Sequence, residues 1–292
     1  MERLLNINHQ DYAIQGNLVK TIRLADEWIE DIPEPESLIM HLREAKIRAD
    51  ILTFWQRLPE TKPKYPYFME LESIAAIPVD SYDNWFTKQI AKQNRATVRK
   101  AEKMGVKILT QSFNQELVRG VYDILNSIQI RQGRPFVHYG RSIEDIHNEL
   151  QKNAHRTVFI GAYFEEELIG YIQLVLDGRC AHSFGLIAKE AHKDKSSQNA
   201  MLAKAVKICE EKGIEYLIHG LWLPGGLELF KKNNGFVKFV LPRYFVPLTI
   251  KGRMVIGSGL HRGVKSLIPV KYKERLKYLK SLYYKKRLSK LQ

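Results

Sequence analysis

Five polar residues, Lys195-Ser196-Ser197-Gln198-Asn199, stand directly before the apolar-rich run Ala200–Ile208. They fall at the start of a helix. Exposed N–H groups, two hydroxyls and a cation at the positive end of a helix dipole suit a phosphate or carboxylate. A plain N-cap by Ser196 or Ser197 would explain the serines with no ligand at all. Lys231 follows Phe230 on a short helix opened by Gly225-Gly226. Inside a crevice such a lysine holds a phosphate or stabilises an oxyanion; on an open face it is only solvated. Arg95 and Arg99 stand at i, i+4 on one helix face, where a pair can clamp a phosphate or carboxylate or simply form a solvated basic surface. His138 and Tyr139 lie in the loop RQGRPFVHYGR (Arg131–Arg141), which either walls an acceptor site or packs as an ordinary loop. His182 and His219 fall on strands, a position that suits a satisfied core group and also permits a base. No HExxH, paired CxxC or His/carboxylate spacing suggests a metal, and Gly185, Gly220, Gly225 and Gly226 form no dinucleotide fingerprint.

The elements that must position these residues run from Val158 to Phe239. VFIGAYF, LIGYIQLVL and CAHSFGLIA read as three strands of a meander. A polar loop, the helix NAMLAKAVKICEEKG, the strand IEYLIHG, the helix GLELFKKNNGF and a further strand follow. This order can form a mixed sheet with a splayed crevice, a common place for an activated acyl group. Upstream, Leu18–Ile29 and Ser37–Lys46 have helical character, and ADILTFWQRL and YPYFMELESIAAIPV read as strands around the turn-rich PETKPK. A helix is expected from Tyr82 to Met104, capped by Ser81 and stopped by Gly105. Asn114 caps another helix with the apolar stripe Leu117, Val121, Ile124/Leu125 and Ile128. Ser142-x-x-Asp145 resembles a capping box that opens a helix to about Asn153.

The 292 residues carry a formal charge of +14. From Lys265 to Gln292 ten Lys/Arg face the single acid Glu274, so about +5 is left for all that precedes. The bulk of the chain is therefore no basic nucleic-acid binder; the tail is the basic element. Tyr272, Leu276, Leu279 and Tyr283 mark one narrow face of a helix from Tyr272 to Leu291. That helix either docks by this stripe or meets an anionic surface, a membrane leaflet or tRNA. No apolar run reaches a membrane span, and Met1–Tyr12 lacks the order of a secretory signal. Cys180 and Cys209 sit in expected core elements, which points to buried thiols in a reducing compartment. A cytoplasmic protein is expected, peripheral on the inner face of the membrane if the tail binds it.

Two segments resemble the GNAT-like acyltransferase superfamily, in particular its branch related to the Fem-type peptidoglycan-bridge aminoacyltransferases. One is NRATVRKAEKMGVKI (Asn94–Ile108), similar to the basic helix, glycine and strand that precede the Fem-like core. The other is the ordered pair SSQNAMLAKAVKICEEKGIEYLIHG and LELFKKNNGF. The likeness spans roughly residues 65 to 247. Two positions depart from ordinary acetyl-CoA-dependent members. Their Gln/Arg-x-x-Gly-x-Gly/Ala becomes Lys195-x-x-Gln198-x-Ala200, and their Tyr four residues before Gly-Phe becomes Lys231. Both departures favour the Fem-like branch. The resemblance implies an α+β GNAT-type fold, a mixed, mostly antiparallel sheet flanked by helices. It divides as an N-terminal extension over 1–81, an acyltransferase core over 82–250 and a basic tail over 251–292. It implies acyl or aminoacyl transfer that forms an amide on an amine, with a lipid-linked cell-envelope or peptidoglycan precursor as a candidate acceptor. The donor, acyl-CoA or aminoacyl-tRNA, would lie at Lys195, Ser196, Ser197, Gln198 and Asn199, and the acceptor at Arg95, Arg99, His138 and Tyr139. Lys231 would contact the oxyanion or a phosphate; no resident cofactor or metal is implied. A conventional acetyl-CoA-dependent N-acetyltransferase is the second reading, and a non-catalytic RNA- or membrane-associated protein the third.

Overall fold

The computed structural model describes residues 3–131 and 134–263, so the expected tail helix lies outside the described residues. Strands β1 (Arg3–Ile7), β2 (Gln10–Gln15) and β3 (Thr21–Leu24) lead to helix α1 (Pro35–Glu44). Strands β4 (Ile51–Trp55) and β5 (Phe68–Pro78) follow. A broken helical stretch, Tyr82–Asn84 and Trp85–Gln89, precedes α2 (Lys92–Lys103) and β6 (Lys107–Gln111). Next come α3 (Gln115–Asn126), the short hairpin β7 (Ile130–Arg131) and β8 (Arg134–Pro135), and α4 (Ile143–Lys152). The meander β9 (Thr157–Phe164), β10 (Glu167–Asp177) and β11 (Cys180–Ala188) runs into α5 (Ser197–Glu211). β12 (Tyr216–Leu221), α6 (Gly226–Asn233), β13 (Val237–Pro247) and α7 (Ile250–Gly257) complete the order.

The described residues form two compact units, one within 1–72 and 240–292 and the other within 73–239. The boundaries differ from 81 and 250. The chain leaves and re-enters the first unit inside strands, where no turn or composition change marks the place, and α7 folds with the N-terminal residues.

In the first unit, β1, β2 and β3 pair antiparallel, β3 pairs parallel with β4, and β4 pairs antiparallel with β13. Helix α1 begins at Pro35, a residue pre-set for a first turn. It buries Leu38, Ile39 and Leu42 against Ile22, Leu24, Leu52, Phe54, Tyr244 and Val246. The helical expectation for Leu18–Ile29 is corrected here. Ile22 and Leu24 are buried while Thr21 and Arg23 are only partly covered, the period of two of a strand with one face inward.

In the second unit the order is β5, β12, β11, β10, β9, β6. Every neighbour is antiparallel except β11 and β12. Helix α5 lies in the core, with Met201, Leu202, Ala205, Val206 and Cys209 packed against Ile160, Ile169, Ile172, Leu174 and Leu217. Both cysteines are buried and neither is in a disulfide, and burial pushes the Cys209 thiol up to about 12. The helix expected from Tyr82 to Met104 is broken. Ser81 caps it as expected, accepting from Asn84 N at 3.1 Å, but Ile90 is extended (ψ 147°) and a new helix starts at Lys92. At Ser142 the hydroxyl accepts from Asp145 N at 3.0 Å and donates to the Asp145 carboxylate at 2.7 Å, a shorter-armed variant of a capping box.

Candidate active site at the fork of β11 and β12

The parallel ladder between β11 and β12 holds only three partner pairs, Cys180–Tyr216, Ala181–Leu217 and His182–Ile218. Beyond them the strands part. Ser183 and His219, the next residues on either side, fasten the fork. Ser183 Oγ donates to Ile218 O at 3.1 Å, and His219 Nδ1 lies 3.1 Å from Ser183 O. His219 Nδ1 also lies 3.0 Å from Ser183 Oγ; with that hydroxyl proton given to Ile218 O, both oxygens beside Nδ1 accept and the ring proton is assigned to Nδ1 from the hydrogen-bond network. Burial and then the neighbouring Lys231 charge depress the imidazole to about 4. His219 is thus neutral at pH 7, with its lone pair on Nε2.

On β11 the fork is followed by a bulge, where two residues answer one on β10 between Tyr171 and Gln173. Gly185 makes it possible. Its φ is +68°, and a Cβ there would meet the Tyr171 ring at 2.5 Å.

Lys231 belongs to α6, held in place by a set of specific contacts. Asn234 Nδ2 donates to Phe230 O at 2.8 Å, Trp85 Nε1 donates to Asn234 O at 3.0 Å, and Asn199 Nδ2 donates to Asn234 Oδ1 at 2.8 Å. The Gly235-Phe236 pair fits the same frame: Gly235 has φ +81° with Trp85 close by, and Phe236 enters the core. Lys231 is only 3% exposed and donates to Leu221 O, at the end of β12. Burial lowers the pKa of its ammonium. A buried cation with one carbonyl partner beside a neutral imidazole is costly unless it serves an anion that forms there.

At the entry of α5, Ser196 is left-handed (φ 60°) and no side chain caps the helix. A hollow of about 200 Å³ opens at this end, lined by Ser196, Ser197, Gln198 and Asn199 together with Thr97, Arg131, Ala188, Lys189 and Lys193. Gln198 Nε2 donates to Leu186 O at 3.0 Å, so its side chain ties the helix to the bulged strand. Lys195 does not line the hollow; its Nζ lies 3.8 Å from the centre of the Phe164 ring. Lys189 pairs with Glu167, Lys193 with Glu190 at 3.1 Å, and Arg131 approaches Glu190 at 3.7 Å.

Other sequence-derived candidates lie elsewhere. Arg95 donates to Thr87 O and approaches Phe86 O and Ile90 O, closing the end of the broken helical stretch. Arg99 stacks over the Phe86 ring at 5.5 Å. Neither lines the α5 hollow. His138 is half-buried next to Phe136, its pKa lowered by burial and then by Arg141, and Tyr139 is 45% exposed. Among the described residues of their loop, Arg131 lines the hollow. Thr97, Arg131, Lys189, Lys193 and Ser183 were not singled out from the sequence. The Lys189, Lys193, Lys195 series before α5 was the available signal. His182 is 3% exposed and stacks at 6.3 Å with Phe184.

A strand order β6, β9, β10, β11, β12 with a bulge and a fork between parallel neighbours decides the comparison. This is a GNAT-like, Fem-related fold. The structure of FemX aligns with a TM-score of 0.56 at 12% identity, over 83% of this chain and 87% of its own. The structure of L-PGS from Bacillus licheniformis aligns with a TM-score of 0.56 at 15% identity, over 89% and 88%. The C-terminal domain of a putative lysylphosphatidylglycerol synthetase from Agrobacterium fabrum gives 0.54 at 12% identity, over 89% and 88%. No family model matches the chain, and no curated protein matches its sequence. At these identities the likeness carries the fold, and function must be argued from the site.

Proposed function

We propose that the protein is an acyl- or aminoacyltransferase that forms an amide on an amine acceptor, with its reaction centre at the β11–β12 fork. The observation that carries this reading is the fork itself, where buried Lys231 donates to Leu221 O at the end of β12 and His219 bonds to Ser183 just past the last parallel pair. The acceptor nitrogen attacks the carbonyl carbon of an activated ester or thioester and gives its proton to His219 Nε2. Lys231 stabilises the oxyanion of the tetrahedral intermediate. The C–O or C–S bond then breaks, and the leaving oxygen or sulfur takes a proton back from the imidazolium. Ser183 is no nucleophile in this scheme, because its hydroxyl proton is committed to Ile218 O.

The donor's phosphate is held at the α5 entry by the uncapped helix end, Lys189, Lys193 and Arg131. Gln198 occupies the place of a glycine and makes its own bond to Leu186 O, which restricts the close backbone approach that a CoA pyrophosphate uses. This supports an aminoacyl-tRNA donor over acyl-CoA. The likeness to FemX and to a putative lysylphosphatidylglycerol synthetase supports an acceptor from the cell envelope. The test is a donor screen: the protein is incubated with acyl-CoAs and with charged tRNAs, each with amine acceptors, and product formation is followed. Turnover with charged tRNA is expected. No turnover and no thermal shift with either donor class would overturn the proposal.

A further inference from the structure

The first unit carries a second hollow, of about 500 Å³, with an unevenly charged wall. Five cations line it, Lys20, Arg43, Lys46, Arg48 and Lys251, against the single carboxylate of Asp50. That carboxylate is already satisfied. It accepts from Lys20 N at 2.8 Å, Thr249 Oγ1 at 2.9 Å and Lys251 Nζ at 2.9 Å. Burial alone would raise its pKa, but the bonds from Lys20, Lys251 and Thr249 together lower it, so Asp50 is an anion with its donors in place. Among the described residues the side chains of Lys20, Arg43, Lys46 and Arg48 have no hydrogen bond or ion pair. The wall therefore has cations over and no carboxylate left for them.

Beside this hollow the surface is apolar. Thr249, in its wall, caps α7 by accepting from Gly252 N at 3.0 Å. A Cβ at Gly252 would meet Asp50 O at 2.0 Å, so that face of α7 lies hard against the chain and the opposite face, Ile250 and Met254, turns outward. Ile250 is 80% exposed and Met254 65%. Leu18, in the turn between β2 and β3, is held to the same place, because Lys251 Nζ donates to Leu18 O at 2.7 Å; its side chain is 87% exposed. Singly exposed apolar residues are ordinary on a protein surface. Here Leu18 and Ile250 are two of the three most exposed large apolar side chains among the described residues, and both adjoin Lys251.

We propose that this face docks on an anionic phospholipid bilayer. Leu18, Ile250 and Met254 enter the boundary between headgroups and acyl chains, and Lys20, Arg43, Lys46 and Arg48 hold lipid phosphate. A nucleic acid would also answer the cations, but three aliphatic side chains with no aromatic ring among them gain nothing against phosphate and sugar. Segment 265–292, with ten Lys/Arg against one acid, is repelled by the hollow as a cover and shares its preference for an anionic surface. The inference rests on the first unit alone, so it stands or falls independently of the transferase reading.

The test uses the full-length chain with Met254→Cys carrying an environment-sensitive fluorophore; Cys180 and Cys209 are buried, which leaves the new thiol as the accessible one. Vesicles of equal parts phosphatidylserine and phosphatidylcholine are expected to shift the emission to the blue, and vesicles of phosphatidylcholine alone are not. Because the tail is basic too, co-sedimentation compares variants that keep it. Leu18→Ser/Ile250→Ser/Met254→Ser is expected to bind the anionic vesicles about tenfold or more weaker. Lys46→Gln/Arg48→Gln is expected to bind about tenfold to thirtyfold weaker, a difference that shrinks at high salt. All five side chains are exposed, and thermal unfolding checks that both variants fold. No blue shift on anionic vesicles, or undiminished binding by the folded apolar variant, would overturn the proposal. A label already blue before vesicles are added would mean that the tail covers this face, and a response to tRNA with none to vesicles would mean a nucleic-acid surface; either outcome also overturns it. The labelled chain decides by itself if the variants do not fold.

Discussion

His219 links the fork's structure to a measurable pH dependence of stability. Its pKa is about 4 in the folded protein against 6.5 for the free side chain, because burial and Lys231 disfavour the imidazolium. Between those values the unfolded chain binds the extra proton, so stability is full above about pH 6.5 and falls as pH drops toward about 4. At about 1.4 kcal/mol per unit, the whole shift amounts to about 3 kcal/mol, and about 2 kcal/mol of it is lost between about pH 7.5 and pH 5. His219→Asn isolates this contribution. Asn can place its Nδ2 where the imidazole Nδ1 stands and keep the donor to Ser183 O, but it has no titrating nitrogen. Urea unfolding of both proteins at the two pH values should show a fall about 2 kcal/mol larger for the wild type. His138, also depressed, contributes equally to both and cancels, as do the salt-bridged Glu70 and Glu167. Parallel pH profiles for the two proteins would refute the claim that a neutral imidazole is buried at the fork, and the assignment of His219 as the base would go with it.

Lys231→Met should lower kcat by about a hundredfold or more while stability stays level or rises, since it removes an oxyanion partner and a poorly paired buried cation together; single-turnover rates and urea melts separate the two effects. Lys193→Ala should raise the donor KM by about threefold to tenfold, an effect that shrinks at high salt because Lys193 is 74% exposed, with kcat nearly unchanged. Gly185→Ala should cost about 2–4 kcal/mol, because φ +68° and the Tyr171 ring 2.5 Å from the added Cβ both oppose it; a variant as stable as the wild type in urea would show that the bulge relaxes freely.

The sheet of the second unit was legible because β9, β10 and β11 are long, apolar and bounded by turns, and because Asn114, Ser142 and Ser81 announce their helices. The failures have physical causes. Thr21–Leu24 is too short for periodicity to separate strand from helix, and one of its two flanking strands, β4, comes from beyond α1 and pairs in parallel. The break at Ile90 depends on Arg95 reaching back to Thr87 O, a bond that helix propensity does not encode. The α5 entry could be read as polar, but which cations face it could not. Lys195 turns to Phe164 while Arg131, from a loop more than sixty residues earlier, fills the position.

Gln198 gathers these strands of argument. As a sequence feature it is a missing glycine, which says only that a ligand's backbone-hugging phosphate would be crowded. In the structure its amide reaches Leu186 O, on the bulged stretch of β11 that Gly185 opens. That bond fixes the distance between the helix whose N–H groups await an anion and the strand that borders the reaction centre. A glycine at this position would leave the carbonyl to the donor; the glutamine uses it internally and stiffens the gap. In the proposed transferase the donor would then be recognised by side-chain cations at the rim of the hollow rather than by a backbone cradle. Long-range charge with little shape restriction is how proteins hold a phosphate chain that extends beyond the site, as a charged tRNA does and a compact pyrophosphate does not. Under the proposed function, the substitution that crowds a CoA pyrophosphate favours the larger donor, and Lys231 and His219 supply the chemistry that either donor would need.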